Sequence, residues 1–243
     1  MRPDLTFLTD RPFAHRGLHG PGGSEHGPAE NGMAAFDAAI AAGFGIECDV
    51  RASRDGVAFV FHDAQLGRMT GLPGAVDDHA AAQLDAMALA DGGPLPRLTA
   101  LLARCADTVP LLVEIKAQGR AIEPICAAVA HDLSGGAKGR VAVMSFNPFA
   151  MHWFRRHAPR IVRGLVVTQQ GKGQMRGVIE RALALWLTKP DFIACDIRDL
   201  PSSFANRVRR RGLPVLTWTV RSPDERARAA AHADQIIFER MDD

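Results

Sequence analysis

The chain is poor in cysteine. Its four, Cys48, Cys105, Cys126 and Cys195, are widely spaced within apolar segments and form no Cys-x-x-Cys pair. Reduced core thiols are therefore expected, not a disulfide framework or a zinc site. A charge bias is also missing. With 29 basic and 27 acidic residues the formal net charge is +2, which argues against general polyanion binding, so no nucleic-acid partner is expected. No apolar run is long enough to span a bilayer, so no transmembrane segment is expected. The first twenty residues carry Arg2, Asp4, Asp10, Arg11, His15 and Arg16 and no signal-peptide apolar region, which makes the cytoplasm the expected location. There is no internal repeat, and nothing specifies an oligomeric state.

What is present centres on Gly45 to Asp63. Two short runs of β-formers flank Asp55-Gly56, a dipeptide suited to a two-residue hairpin turn. With that turn, Arg54 opposes Val57, Ala52 opposes Phe59, Val50 opposes Phe61 and Asp49 opposes His62. Opposed residues share a side of the ribbon, with Cβ atoms ~5 Å apart. Strand alternation puts Glu47 on that face with Asp49 and turns Cys48 away. Two carboxylates and an imidazole then converge, as at a site for a hard cation beside a general acid or base. A surface hairpin with scattered charges is the plainer alternative.

The remaining chain alternates. Phe13 to Gly17 reads as a strand running into a loop with Gly20, Gly22, Gly23 and Gly27; a helix follows over Gly32 to Ala42, with Asn31 as N-cap and Gly43 as stop. Ala64 to Pro96 is a Gly-, Pro- and Asp-bearing excursion with a short helical piece near Ala80 to Ala88. Strands are expected at 111–116, 141–146, 163–168, 192–197, 215–220 and 235–238, and helices at 98–105, 121–132, 148–156, 174–187, 202–211 and 223–232. With Val57 to Phe61 as a hairpin appendage, eight strands alternate with helices, the pattern of a single (β/α)8 TIM barrel over residues 1–243. Residues 64–96 are then a small insertion over the barrel mouth, after the second-strand hairpin. An open doubly wound sheet is the alternative fold.

In such a barrel the C-terminal strand ends line the mouth. Polar residues gather at those ends: His15-Arg16, Glu47 and Asp49, His62-Asp63, Glu114 and Lys116, Ser145, Asp196, and Trp218-Thr219. Glu114 and Lys116 lie two apart on an otherwise apolar strand, so both point into the mouth, where unpartnered charge is costly without a function. Trp218 offers a flat apolar wall for substrate. His19 and His26 read as solvated or supporting residues, and His131, His152, His157 and His232 as ordinary surface residues. Arg207 to Arg211 suits a helix C-terminus. Trp186, with Leu183, Leu185 and Leu187, reads as core or oligomer packing, with a lipid surface as the alternative.

These motifs together resemble the glycerophosphodiester phosphodiesterase family: His15-Arg16-Gly17, Glu30-Asn31, Glu47-Cys48-Asp49-Val50, Asp55-Gly56, His62-Asp63, Leu66 with Arg68, Glu114-Ile115-Lys116, Ser145-Phe146 and Trp218-Thr219-Val220. The match runs in order over almost the whole chain. The resemblance implies a barrel, a divalent cation held by Glu47, Asp49 and Glu114, His15 and His62 as the acid–base pair, and Arg16 and Lys116 on the phosphate. The implied reaction is hydrolysis of a glycerophosphodiester, a small-molecule substrate, to glycerol 3-phosphate and an alcohol. Carboxylate ligation favours Mg²⁺ or Ca²⁺. Ala29, Arg97, Arg221 and Glu239-Arg240-Met241 depart from the family's usual residues. They are expected to lie clear of the metal and the histidines and to bear on alcohol specificity. Two other readings remain: a lysophospholipase D, for which a groove formed by the Leu72 to Leu95 excursion would speak, and a non-catalytic phosphate-binding barrel.

Overall fold

The computed structural model describes residues 3–21, 27–106, 108–135, 140–171 and 174–240, except the side chains of residues 174–176. Gly22, Gly23, His26 and Met241, named above, lie outside them. Eight parallel strands close into a barrel: β1 (Phe13–His15), β2 (Gly45–Ala52), β4 (Leu111–Ile115), β5 (Val141–Ser145), β6 (Val162–Val167), β7 (Phe192–Asp196), β8 (Val215–Val220) and β9 (Gln235–Phe238). The last strand pairs with the first through Phe13↔Ile237 and Ala14↔Phe238, and β1 pairs with β2 through His15↔Glu47. This is a (β/α)8 barrel. Helices α1 (Met33–Ala41), α4 (Leu98–Cys105), α5 (Glu123–Ser134), α6 (Pro148–His157), α7 (Gln174–Thr188), α8 (Ser203–Arg210) and α9 (Pro223–His232) lie between successive strands. No helix among the described residues is long and apolar enough to cross a membrane.

Strand alternation builds two apolar layers. Inward residues, including Phe13, Leu112, Met144, Val166, Phe192 and Leu216, fill the barrel, with Phe7 and Leu8 of the N-terminal turn packed against them. Outward residues such as Cys48, Val113, Val143 and Leu165 meet the helices. Both faces are buried, which explains the nearly continuous apolar runs of these strands. Gly164 is required for this filling: a Cβ there would lie 2.2 Å from the Phe192 ring. Helix starts follow their caps, with Asn147, Ser202 and Ser222 accepting bonds from the first-turn amides of α6, α8 and α9.

The hairpin differs from the expected register. Strand β3 (Ala58–Val60) runs antiparallel to the end of β2 with Val50↔Val60, Arg51↔Phe59 and Ala52↔Ala58. Ser53 is the cause. Its hydroxyl accepts from the Val57 amide at 2.9 Å and donates to Asp55 at 2.6 Å, and Gly56, at φ +80°, completes a three-residue loop. The slip of one residue sets Phe61, not His62, opposite Asp49, and the Phe61 amide donates to the Asp49 carbonyl.

Two helical expectations also change. Asn31 does not cap α1; Gly32 holds that position, and the Asn31 side chain turns to Asp49. In the excursion the helical piece expected over Ala80 to Ala88 is shortened to α3 (Ala81–Leu84), preceded by the short α2 (Gly67–Thr70) and a 3-10 turn at Val76–Asp78, and the Leu89 amide turns back to the Gly93 carbonyl at 2.7 Å. Phe59, Phe61, Leu66, Met69, Leu84 and Leu95 form a third apolar cluster there.

Candidate active site

β2 and β4 bring three carboxylates together. Glu47 and Asp49 are two apart on β2, and Asp49 is the register partner of Glu114 on β4. One oxygen from each of the three lies within 4.8 Å of the others, and all three residues are buried. Glu47 Oε1 has no hydrogen bond, and Asp49 Oδ1 has only the Lys116 ammonium against it. Buried like charges with an unpartnered oxygen, and no nitrogen or sulfur donor among them, fit a hard cation such as Mg²⁺ or Ca²⁺. Their protonation behaviour tells the same story. Burial, then the charges of Asp49 and Glu114, push Glu47 well above the usual carboxylate range. Burial also raises Glu114, against the pull of Lys116. For Asp49, Lys116 and Arg16 outweigh burial and hold the carboxyl well below its ordinary value.

Two cations flank this cluster. Lys116 Nζ donates to Glu114 Oε1 at 2.5 Å and lies 2.9 Å from Asp49 Oδ1. Arg16, at φ +55°, donates its amide to Glu47 Oε2 at 3.1 Å, sets Nε 3.0 Å from Asp49 Oδ2 and bonds Glu30 through a terminal nitrogen. Asn31, also in the left-handed region at φ +58°, grips Asp49 twice: its amide group donates to Oδ2 at 2.9 Å and its carbonyl accepts from the Asp49 amide at 3.2 Å. Left-handed backbone at two non-glycine residues is uncommon, and both aim side chains at one carboxylate. Gly17 permits the close turn between them, since a Cβ there would meet Ala35 at 2.8 Å.

His15 ends β1, with Nε2 3.9 Å from Glu47 Oε2. His62 follows β3, one residue beyond the Phe61 amide that pairs with Asp49, and lies in the field of the Asp49 carboxylate without being its register partner. Each ring has a carboxylate on Nδ1, and each carboxylate is held by an arginine. His15 faces Glu239 at 2.8 Å, with Arg221 forked on Glu239 at 2.6 and 2.7 Å. His62 faces Asp63 at 2.7 Å, with Arg68 on Asp63 at 2.6 Å. Burial lowers both imidazoles below the ordinary histidine value, and the carboxylates oppose it. The contact of Glu239 with His15 overturns the expectation that the departures at 221 and 239 lie clear of the histidines. The register that pairs Ala14 with Phe238 carries the next residue pair together.

Trp218 stands on β8 with its indole nitrogen donating to the Ala194 carbonyl at 3.1 Å, and Phe146 meets its ring edge-on at 5.3 Å. Ser145 and Asp196 serve the frame. The Ser145 hydroxyl donates to the Ile115 carbonyl, and Asp196 accepts from Arg198 and Thr168. Glu30, Asp63 and Arg68 received no role of their own from the sequence, Asn31 was read as a helix cap, and Glu239 only as a departure bearing on alcohol specificity; the first four lie within motifs that could have prompted a role in the site. His19 lies beside His15 and Glu239, its Nδ1 2.7 Å from the Gly20 carbonyl. Both oxygens of Glu239 are already engaged, so this second group does not resemble a metal site. A cavity of about 1000 Å³ lies at the N-terminal strand ends against Arg207, Arg209 and Asp234 and holds none of the site residues.

The profile of the glycerophosphoryl diester phosphodiesterase family matches residues 15–243. A Mycobacterium tuberculosis protein named "Probable glycerophosphodiester phosphodiesterase 2" is 36% identical over 216 residues, which cover 80% of this chain and 75% of that protein. An Oleispira antarctica phosphodiesterase, solved with the product sn-glycerol-3-phosphate, superposes with a TM-score of 0.78 at 22% identity, over 96% of this chain and 93% of that one. A glycerophosphodiester phosphodiesterase of Thermotoga maritima gives a TM-score of 0.73 at 23% identity, over 93% and 92%.

Proposed function

Because the chain belongs to the glycerophosphoryl diester phosphodiesterase family and is a phosphoric diester hydrolase, we propose that it cleaves glycerophosphodiesters to glycerol 3-phosphate and an alcohol by cation-dependent, two-histidine acid–base catalysis. The observation that carries this reading is the buried cluster of Glu47, Asp49 and Glu114, with Glu47 Oε1 unpartnered, beside two imidazoles each backed by a carboxylate. In this reading residues 1–243 form one catalytic unit with 64–96 an insertion beside the mouth. The product bound in the Oleispira structure supports a substrate of this size.

Glu47, Asp49 and Glu114 would hold Mg²⁺ or Ca²⁺, whose charge counters that of the phosphodiester anion. Arg16 and Lys116 lie against the same carboxylates, so a phosphate drawn there meets two further positive side chains. One histidine removes the proton of the nucleophile, water or the neighbouring glycerol hydroxyl, and the other protonates the departing alcohol. Following the family resemblance, His62 is the base and His15 the acid. Trp218 walls the glycerol or head group. The test is glycerol 3-phosphate release from glycerophosphocholine and glycerophosphoethanolamine with Mg²⁺, Ca²⁺ or chelator, in the wild type and in Glu114→Gln. Full activity in excess chelator, or in the folded variant, would overturn the assignment.

A second reading, hydrolysis of lysophospholipids, has one observation in its favour. An apolar cavity of about 520 Å³ lies between β6, α6 and α7, lined by Phe146, Phe149, Leu165, Val167, Leu183 and Trp186. Phe146 joins it to Trp218. Val76, Leu84, Leu89 and Leu95 of the 72–95 excursion, a groove from which would have spoken for this reading, are buried in a cluster of their own. If the cavity takes an acyl chain, Leu183→Asp will slow cleavage of lysophosphatidylcholine and leave glycerophosphocholine untouched. Equal effects on both substrates would reject the second reading.

A further inference from the structure

We propose that Glu239, held by Arg221, is a positioning residue for His15, fixing which ring nitrogen faces the carboxylate cluster. The inference rests on the reading of His15 as a member of the acid–base pair, and it goes beyond that reading in naming what orients the ring. Three observations carry it. Glu239 Oε1 is 2.8 Å from Nδ1, while Nε2 is the nitrogen on the Glu47 side, at 3.9 Å. Arg221 occupies both oxygens of Glu239 through Nε and a terminal nitrogen. The Glu239 amide donates to the Val220 carbonyl at 3.1 Å, and the Arg221 amide to Glu225 on α9 at 2.7 Å, so each half is also tied through its backbone.

The physical consequence concerns the tautomer. A carboxylate can only accept, so the proton of the neutral ring is drawn to Nδ1 and the Nε2 lone pair faces the site. Burial would raise the Glu239 carboxyl, but the bonds from His15 and Arg221 hold it well below the usual range, keeping it an acceptor. Without Glu239 the ring's terminal torsion, which is intrinsically two-fold and broad, has no partner to select one orientation. His19 does not substitute, because its own Nδ1 is directed to Gly20. His62, Asp63 and Arg68 repeat the arrangement on the other side of the site. Two of the positions that depart from the family's usual residues, Arg221 and Glu239, are thus partners of each other.

The first test needs no variant. Nitrogen NMR of the whole protein with labelled histidine, at a pH where the ring is neutral, is expected to show His15 as the Nδ1–H tautomer; an Nε2–H tautomer would overturn the proposal whatever the enzyme's activity. The second test is kinetic. Glu239→Ala should lower kcat about 10- to 100-fold, the range for partners that orient a functional side chain, with little change in KM because Glu239 does not reach the substrate. Glu239→Gln, which keeps an acceptor oxygen, should recover part of the loss. In a His15→Ala background Glu239→Ala should cost nothing further, and Arg221→Ala should have no effect once Glu239 is gone. A full further loss in the His15→Ala background would show that Glu239 acts elsewhere. If His15→Ala is itself fully active, the acid–base reading fails, while the tautomer result still stands or falls on its own.

Discussion

Replacing Glu47 by Gln should make the cation-free protein more stable than the wild type and remove the stabilisation that a bound cation gives it. The change removes one charge and almost no volume, and it keeps an acceptor for the Arg16 amide, now 3.1 Å from Oε2. It also places a donor group beside Asp49 and Glu114, where Glu47 Oε1 has no partner. Two unit charges no more than 4.8 Å apart repel by at least roughly 3 kcal/mol at an effective dielectric of about 20. Glu47 faces two such charges, but Lys116 and Arg16 offset much of their effect. A net relief of about 1 to 3 kcal/mol remains after that offset. For a chain of this length this is an increase in Tm of about 2 to 10 °C in chelator. In the wild type a divalent cation at about 100 times its Kd adds roughly 2.7 kcal/mol, a gain the variant should lose with the ligand set. Thermal melts of both proteins in chelator and across a Mg²⁺ or Ca²⁺ titration give the four values needed. A variant that melts lower than the wild type in chelator, or that gains as much from the cation, would refute the account of the cluster as a strained cation site.

Further expectations follow from the same geometry. His15→Ala and His62→Ala should each remove most activity and the double mutant little more, as for groups acting in one displacement; losses that multiply would contradict this, as would a failure of an activated aryl leaving group to rescue the mutant lacking the acid. Lys116→Met should raise KM as well as slow turnover, and an unchanged KM in steady-state kinetics would remove Lys116 from phosphate binding. Both imidazoles are lowered by burial from their ordinary value of 6.5, so the stability of the neutral forms is complete above that pH and is lost as pH falls through the folded values. Glu47 and Glu114, raised by burial, act in the opposite sense over the same range, so the histidine contribution is read as a difference: between neutral pH and about pH 5 in chelator, His62→Gln should lose less Tm, or gain more, than the wild type; an identical profile in the variant would exclude His62 as a source. Gly56→Ala should destabilise by about 1 kcal/mol, since its φ is +80° while no heavy atom crowds the position; a neutral result in denaturant melts would show that the hairpin loop can adopt another turn.

The two histidines illustrate how one site reaches similar local chemistry by different routes. His62 and Asp63 are chain neighbours, and Arg68 is only five residues further from Asp63, so that trio is assembled within one loop. The His15 trio draws on β1, the turn after β8 and the end of β9, with 224 positions between His15 and Glu239. The first arrangement can form before the barrel closes, whereas the second requires closure.

This contrast separates what the sequence by itself determined from what the tertiary structure decided. Alternating apolar runs and helical spacing specify local geometry, so strands such as Val215–Val220 and Gln235–Phe238 and helices such as Leu98–Cys105 and Pro223–His232 could be read to the residue. The two-residue spacings Glu47–Asp49 and Glu114–Lys116 carried as well, because strand alternation keeps such pairs on one face wherever the strand goes. The hairpin register did not carry, since one hydroxyl on Ser53 selects a three-residue loop over a two-residue one and shifts every opposed pair. Asn31 served Asp49 instead of a helix start because the left-handed turn at Arg16 and Asn31 exists only when the β1 loop packs on β2. Glu239 was read as lying clear of the histidines, the opposite of its place against His15. Its position beside His15 follows from the β1–β9 pairing that closes the barrel, and pairing between strands at opposite ends of a chain is a property of the whole sheet, on which neither segment's own pattern depends.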